Sequence, residues 1–328
     1  MNLKLKNTLI NKRGLKLSSI KSYESIMKNF AKNFNIKTIN IKFIKTNIDK
    51  IMDLYSDKSH SKQIGIYTVM LLVLSPNEKK KPSKKNLIVY DLVNKKLKEL
   101  NNNYKTNKEN QVKSPKEEAN WLDINIIYQF IKDNETKYIK LFKLDKTPVN
   151  YLNLQKFLIM KLYTVIPPRR LDYSDMTYIT IKGFDVLSAD DKMNNNYFVL
   201  SKSKKNQSIF WFGKLNTKSL DNSVQLGVSI IMGKSIEKTL LLLRTYNETM
   251  NLIVNKKMKQ ISKSTFSKLI QSIFIEYFDK KIGASLLRKI YISDFYKNDI
   301  ALKTQIELSQ KMNHSPTTAS THYRKVAH

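Results

Sequence analysis

The sequence predicts an α+β protein, mainly α with a small antiparallel β-sheet, in which a helical N-terminal bundle precedes a larger mixed domain. Three observations point there. At 328 residues the chain exceeds the roughly 100–200 residues of one ordinary domain, so two are expected. Apolar residues recur at three-to-four spacing near both ends, whereas short β-branched and aromatic runs are confined to 178–231. Between the helical regions lies an Asn/Lys-rich stretch, 101–118, with little apolar content and Ser114-Pro115 inside it, the composition of an exposed linker. The expected division is 14–105 for the bundle, 106–118 for the linker and 119–328 for the second domain.

Taken in order, the first helix is expected over 15–34, where Ile20, Tyr23, Ile26, Met27, Phe30 and Phe34 share a face and Ser18 or Ser19 can cap. Further helices are expected at 46–55, at 61–74 before Ser75-Pro76-Asn77, and at 86–100. In the second domain, helices at 122–133 and 152–165 precede strand runs at 178–183, 197–200, 209–213 and 224–231, broken by Asn, Asp, Gly and Lys as in antiparallel turns. Helices then follow at 235–247, 263–278, 283–297 and 302–312, and the chain closes on a polar tail.

Composition narrows the function. Lys and Arg number 59 against 27 acidic residues, a formal charge of +32, and such self-repulsion calls for an acidic partner, most commonly a phosphate backbone. Hydrophobic residues make up 41%, enough for packed cores and too many for a disordered chain. The absence of cysteine excludes a disulfide scaffold, thiolate zinc sites and cysteine catalysis. No uncharged run approaches the roughly 18–20 residues of a membrane span, so a soluble, intracellular protein with no membrane partner is expected.

Only six of the basic residues are arginine: Arg13, Arg169, Arg170, Arg244, Arg288 and Arg324. Where lysine is the default cation, each arginine invites a question, because guanidinium can hold a phosphate bidentately and ammonium cannot. Three arginine sites fall among other phosphate-competent groups. In Ile166-Pro167-Pro168-Arg169-Arg170-Leu171-Asp172-Tyr173, a helix ends before the prolines and Asp172 follows Arg169 by three. Ala284-Ser285-Leu286-Leu287-Arg288 opens a helix, and the third site is the tail from His314 to Tyr323-Arg324. Taken singly, the first two sites also fit ordinary surface charge, and for the tail the rival reading is a metal site. Three of the four histidines, His314, His322 and His328, crowd the last 15 residues, but no Asp or Glu follows Glu307, so neither a metal nor another cofactor is expected.

As an ordered set these segments resemble the tyrosine recombinase (phage integrase) family. That family has an Arg followed three residues later by an acid, a Lys on a β-hairpin, a His-x-x-Arg box, and a Gly-His element whose His precedes a nucleophilic Tyr by nine residues. Arg169 with Asp172 resembles the first element, Ser285 to Arg288 the box, and Asn313-His314 with Tyr323 the last, 314 and 323 being nine apart. The box His is Ser285 here, which can hydrogen-bond a phosphoryl oxygen but carries no charge. For the hairpin lysine, Lys218 in Thr217-Lys218-Ser219 and Lys214 after Gly213 are both open. The Ile-Pro-Pro-Arg-Arg-Leu-Asp-Tyr string and the Lys/Asn bias look most like recombinases of large DNA viruses, virophages and related mobile elements.

The resemblance implies a helical DNA-binding bundle joined to a catalytic domain, double-stranded DNA as partner, and a homotetramer on two DNA sites with a dimer at each. It implies site-specific cutting and rejoining through a 3′-phosphotyrosine, without metal or ATP. Arg169 and Arg288 would clamp the phosphate, His314 donate a further hydrogen bond, Tyr323 attack, and Lys218 protonate the leaving 5′-oxygen. Arg170 is expected to matter less than Arg169. Two other readings remain open: a type IB topoisomerase-like nicking and closing enzyme, and a basic DNA-binding protein with a degenerate site, for which Ser285 speaks.

Overall fold

A computed structural model of the chain describes residues 3–15, 17–77, 82–201, 207–213, 227–297 and 300–325. It divides into two compact units, Met1–Lys108 and Glu109–His328.

The first unit opens on a helix that periodicity does not announce, α1 (Leu3–Arg13), whose apolar residues form no continuous stripe. Tertiary contact holds it: Leu9 is fully buried against Ile20 and Leu72. Then come α2 (Leu17–Asn33), α3 (Ile41–Thr46), α4 (Ile48–Ser56), α5 (His60–Leu74) and α6 (Lys84–Glu109). The short α3 is a further addition to the sequence reading, started by Asn40, whose side chain accepts from the Phe43 N–H at 2.8 Å. Phe30 anchors the core, its ring stacked on Tyr55 at 6.0 Å and tilted against Phe34 at 4.8 Å. Arg13 is structural, closing the end of α5 with bonds to the Ser75 carbonyl at 2.5 Å and the Pro76 carbonyl at 3.2 Å.

The expected 101–118 linker is corrected. Its first nine residues, 101–109, continue α6, because extending a helix already nucleated costs little even for solvent-facing Asn and Lys. Its end forms α7 (Pro115–Ala119), set by a capping box between Ser114 and Glu117.

In the second unit α8 (Ile124–Leu144) runs well beyond the expected 122–133 and packs along α9 (Pro148–Thr164). The polar run Lys132 to Lys137 masks its continuation, yet Glu135 there turns inward. It pairs with Lys161, a lysine buried in α9 that also donates to Thr239 Oγ1 at 2.8 Å and the Ser235 carbonyl at 3.1 Å. After a 3₁₀ turn at Asp172–Asp175 come β1 (Thr177–Thr180), α10 (Ile181–Asp185), α11 (Ala189–Asn194), β2 (Asn196–Leu200), β3 (Ile209–Phe212) and β4 (Val228–Ile231). The expected antiparallel sheet is corrected to a mixed one, ordered β1-β2-β3-β4, with β1 and β2 parallel and the other pairs antiparallel. The reason lies in the connection. Thr180 caps α10 and Ser188 caps α11, and this helical crossover returns the chain to start β2 alongside β1.

The rest of the unit is α12 (Lys234–Arg244), α13 (Lys263–Phe278), α14 (Ala284–Phe295), α15 (Leu302–Lys311) and α16 (Pro316–Thr318), continued by a wide turn, Ala319–Tyr323. The polar tail is therefore partly helical. α12 and α14 both pack on α9, whose C-terminal half is buried all round, so the segment leaving α9 emerges at the centre of the unit. Arg244 is also structural, bonding the carbonyls of Asn247 and Thr249. Among the described residues no helix is long and apolar enough to cross a membrane.

Candidate active site

The three arginine-bearing segments meet beside the C-terminal end of α9. Pro167 and Pro168 prevent that helix from continuing, and the turn they impose directs Arg169 inward, where it is fully buried. Its Nε donates to Asp172 Oδ2 at 3.1 Å and its Nη1 to the Lys311 carbonyl at 2.9 Å. The Phe212 ring of β3 supports the guanidinium at 4.5 Å. Nη2 has no hydrogen-bond partner.

Arg288, buried on α14, locks into the same neighbourhood. Its Nη1 donates to the Pro168 carbonyl at 2.6 Å, and its Nη2 to the Met312 carbonyl at 3.1 Å and the Tyr323 hydroxyl at 3.4 Å. Its Nε is unpartnered. Arg288 thus ties down the residue before Arg169, and the two guanidiniums grip adjacent carbonyls, Lys311 and Met312. Burial lowers both arginine pKa values, from a starting point so high that the charge is kept.

His314 is positioned by the end of α15. Asn313 adopts φ 56°, the left-handed region that Gly and Asn tolerate, and the His314 N–H closes back on the Ser309 carbonyl at 3.0 Å. This explains how Asn stands where the resembling family has Gly. The His314 Nδ1 lies 3.1 Å from the Ser315 carbonyl, which can only accept, so Nδ1 carries the proton. Burial, followed by the charge of Arg288, depresses its pKa to about 4, so the ring is neutral at pH 7. Its sealed Nε2, unpartnered, then offers a lone pair. In this state Nε2 accepts where sequence reasoning expected it to donate.

Tyr323 ends the wide turn, its ring stacked on His314 at 5.2 Å and lying 4.9 Å from the Arg288 guanidinium carbon. Burial works to raise its pKa, but the charge and hydrogen bond of Arg288, with Arg170 contributing in the same direction, bring it below the ordinary phenol value. The segment is anchored on both sides: Gln111 Nε2 donates to the Ser320 carbonyl at 3.1 Å, the Lys325 N–H to Ser293 Oγ at 2.8 Å, and Lys325 Nζ to the Val112 carbonyl at 2.8 Å.

Ser285, exposed in the first turn of α14, stands one turn before Arg288 and lines a cleft of about 470 Å³ with Arg170, Arg288, Lys116, Lys281 and Lys289. The structure therefore brings together Arg169, Arg288, His314 and Tyr323, and places Ser285 on the adjoining cleft. Lys218 and Lys214 lie outside the described residues. Gly213 and Gly227, which bracket them, are sterically required: a Cβ at Gly213 would lie 1.7 Å from the Lys192 carbonyl oxygen, and one at Gly227 2.5 Å from the Trp211 ring. The anchors Gln111 and Lys325 carry no sequence signal, being polar residues in polar runs. Among the described residues no three His, Asp or Glu side chains gather, so no metal-holding set can be named.

No family model matches the chain, and no curated protein matches it. Among solved structures, XerA recombinase is similar at 14% identity, covering 98% of this chain and 94% of that one, with a TM-score of 0.35. A protelomerase covalently complexed with substrate DNA is similar at 10% identity, covering 98% and 93%, with a TM-score of 0.42. Neither likeness is close enough to bear on the chemistry.

Proposed function

We propose that the protein is a tyrosine recombinase that cuts and rejoins double-stranded DNA through a phosphotyrosine at Tyr323. One observation carries the reading: Arg169 Nη2, Arg288 Nε and His314 Nε2 are sealed from solvent without hydrogen-bond partners, around a tyrosine whose hydroxyl is bound by Arg288. Buried polar groups rarely go unpaired, and two fixed guanidiniums beside a nucleophilic hydroxyl suit a phosphodiester. The net charge of +32 supplies the complementary attraction to DNA.

In the proposed step the Tyr323 oxygen attacks phosphorus in line, and its proton passes to the lone pair of His314 Nε2. The P–O5′ bond breaks, the 5′-oxygen takes a proton from Lys218, and the 3′ strand remains on Tyr323 as a phosphodiester. Because that bond conserves the phosphodiester, the reverse attack by a 5′-hydroxyl rejoins DNA without ATP. Arg169 and Arg288 stabilise the charge on the non-bridging oxygens as it grows. Strand exchange by a tetramer, a dimer on each site, is the activity proposed, as distinct from nicking and closing alone.

The test uses short nicked duplexes of randomised sequence, which trap a cleaved strand on the protein. Wild type forms a covalent adduct at Tyr323, while Tyr323→Phe binds the duplexes equally and forms none. An adduct mapped to Tyr291 or Tyr296 overturns the assignment. Exchange of labelled strands between two duplexes, absent from a nicking and closing enzyme, distinguishes recombination.

A further inference from the structure

Arg170, set aside in the sequence reading as secondary to Arg169, occupies the cleft that adjoins the site. Its main chain is fixed, since the buried Tyr163 hydroxyl donates to the Arg170 carbonyl, while its side chain is exposed and lines the cleft with Ser285 and Arg288. Among the described residues it makes no ion pair. The acid of that cleft, Glu117, is engaged by Lys289. The charge of Arg170 acts on Tyr323, Arg288 and His314 alike.

A count of charges shows why this matters. The phosphorane formed when a tyrosinate attacks a phosphodiester carries two negative charges. On the protein side, Arg169 is offset by Asp172 at 3.1 Å and His314 is neutral until it takes the Tyr323 proton, so before any proton moves Arg288 is the uncompensated cation among the four converging residues. Ser285, one turn along the same helix, adds a hydroxyl and no charge. An exposed guanidinium in the cleft, free of any ion pair among the described residues and interacting with the Tyr323 hydroxyl, adds a positive charge that is in place before any proton moves.

Resting on the function proposed above, we propose that Arg170 is a further catalytic residue, whose guanidinium faces the reacting phosphoryl group from the Ser285 side and supplies the charge that Ser285 lacks. Arg169 positions and clamps from the buried side; Arg170 closes the cleft side once DNA is seated.

Single-turnover adduct formation by the full chain, on the same nicked randomised duplexes at saturating DNA, tests this. Arg170→Ala lowers the rate by about 10²-fold, the size of losing one transition-state donor, with DNA affinity within about threefold of wild type. Arg170→Lys, which keeps charge without the fork, recovers part of the loss. Adding Ser285→His to Arg170→Ala restores about tenfold or more at pH 6, because a protonated imidazole then enters the same cleft. An Arg170→Ala variant that cleaves within threefold of wild type, or that only weakens DNA binding and regains the full rate at saturation, overturns the proposal and leaves the recombinase reading intact. Absence of any Tyr323 adduct in wild type instead overturns that reading.

Discussion

Replacing Arg169 with lysine keeps the charge and removes two of the three donor nitrogens, and the structure says what each was doing. Nε serves Asp172 at 3.1 Å and Nη1 the Lys311 carbonyl at 2.9 Å, while Nη2 has no partner and is the donor that the proposed step assigns to a phosphoryl oxygen. A single ammonium in this fully buried position is drawn to the Asp172 carboxylate. The Lys311 carbonyl then loses a partner at a cost of about 1–3 kcal/mol. At roughly 2–4 °C per kcal/mol for a unit of this size, the melting temperature falls by about 2–12 °C. The phosphate loses a preorganised donor, worth about 10²–10³ in rate. Adduct formation by Arg169→Lys, measured at least 15 °C below the variant's own melting point by denaturing gel, is therefore expected to drop by at least about 10²-fold, well beyond what partial unfolding explains. Cleavage within threefold of wild type by a folded Arg169→Lys protein would refute the assignment of Nη2 to the phosphate, and a full loss of structure would refute the buried-carbonyl bookkeeping.

Three other outcomes are expected. His314 must be neutral to accept the Tyr323 proton, and with its pKa near 4 the neutral form persists on acidification where an ordinary histidine, near 6.5, would already be charged. The cleavage rate at subsaturating DNA, which reports the free protein, should thus show no histidine-like fall centred on pH 6.5, and a fall there counts against the buried neutral ring. Lys161→Met strips Glu135 of its buried partner and should destabilise the second unit by about 3–5 kcal/mol in denaturant titrations, most of which Lys161→Met with Glu135→Leu regains; a single variant as stable as wild type removes that pair from the core's energetics. The charge of +32 should make DNA affinity steeply salt-dependent, falling about 10³–10⁵-fold between 50 and 200 mM salt if about 6–10 phosphates are neutralised, and a shallow slope would leave the lysines as solvated surface.

What the sequence determined by itself was chemistry that depends on residue identity and order. Arg169 with Asp172 three residues on, Arg288 on a helix, and His314 nine before Tyr323 are legible as an ordered set that resembles a known family's, and α2 and α13 are legible because their apolar stripes need no partner to be recognised. Non-local pairing was beyond its reach. α1 has no stripe and is held by Leu9 against residues from two other helices; β1 lies parallel to β2 because of two capped helices between them; and residues 101–109 are helical because α6 was already formed. The site shows the same division. A sequence names a histidine without saying that burial and a neighbouring guanidinium hold it neutral, and it ranks Arg170 beneath Arg169 without showing that a proline-forced turn buries one and leaves the other facing a cleft. Protonation, burial and convergence are properties of the space around a side chain, and only the packed chain creates that space.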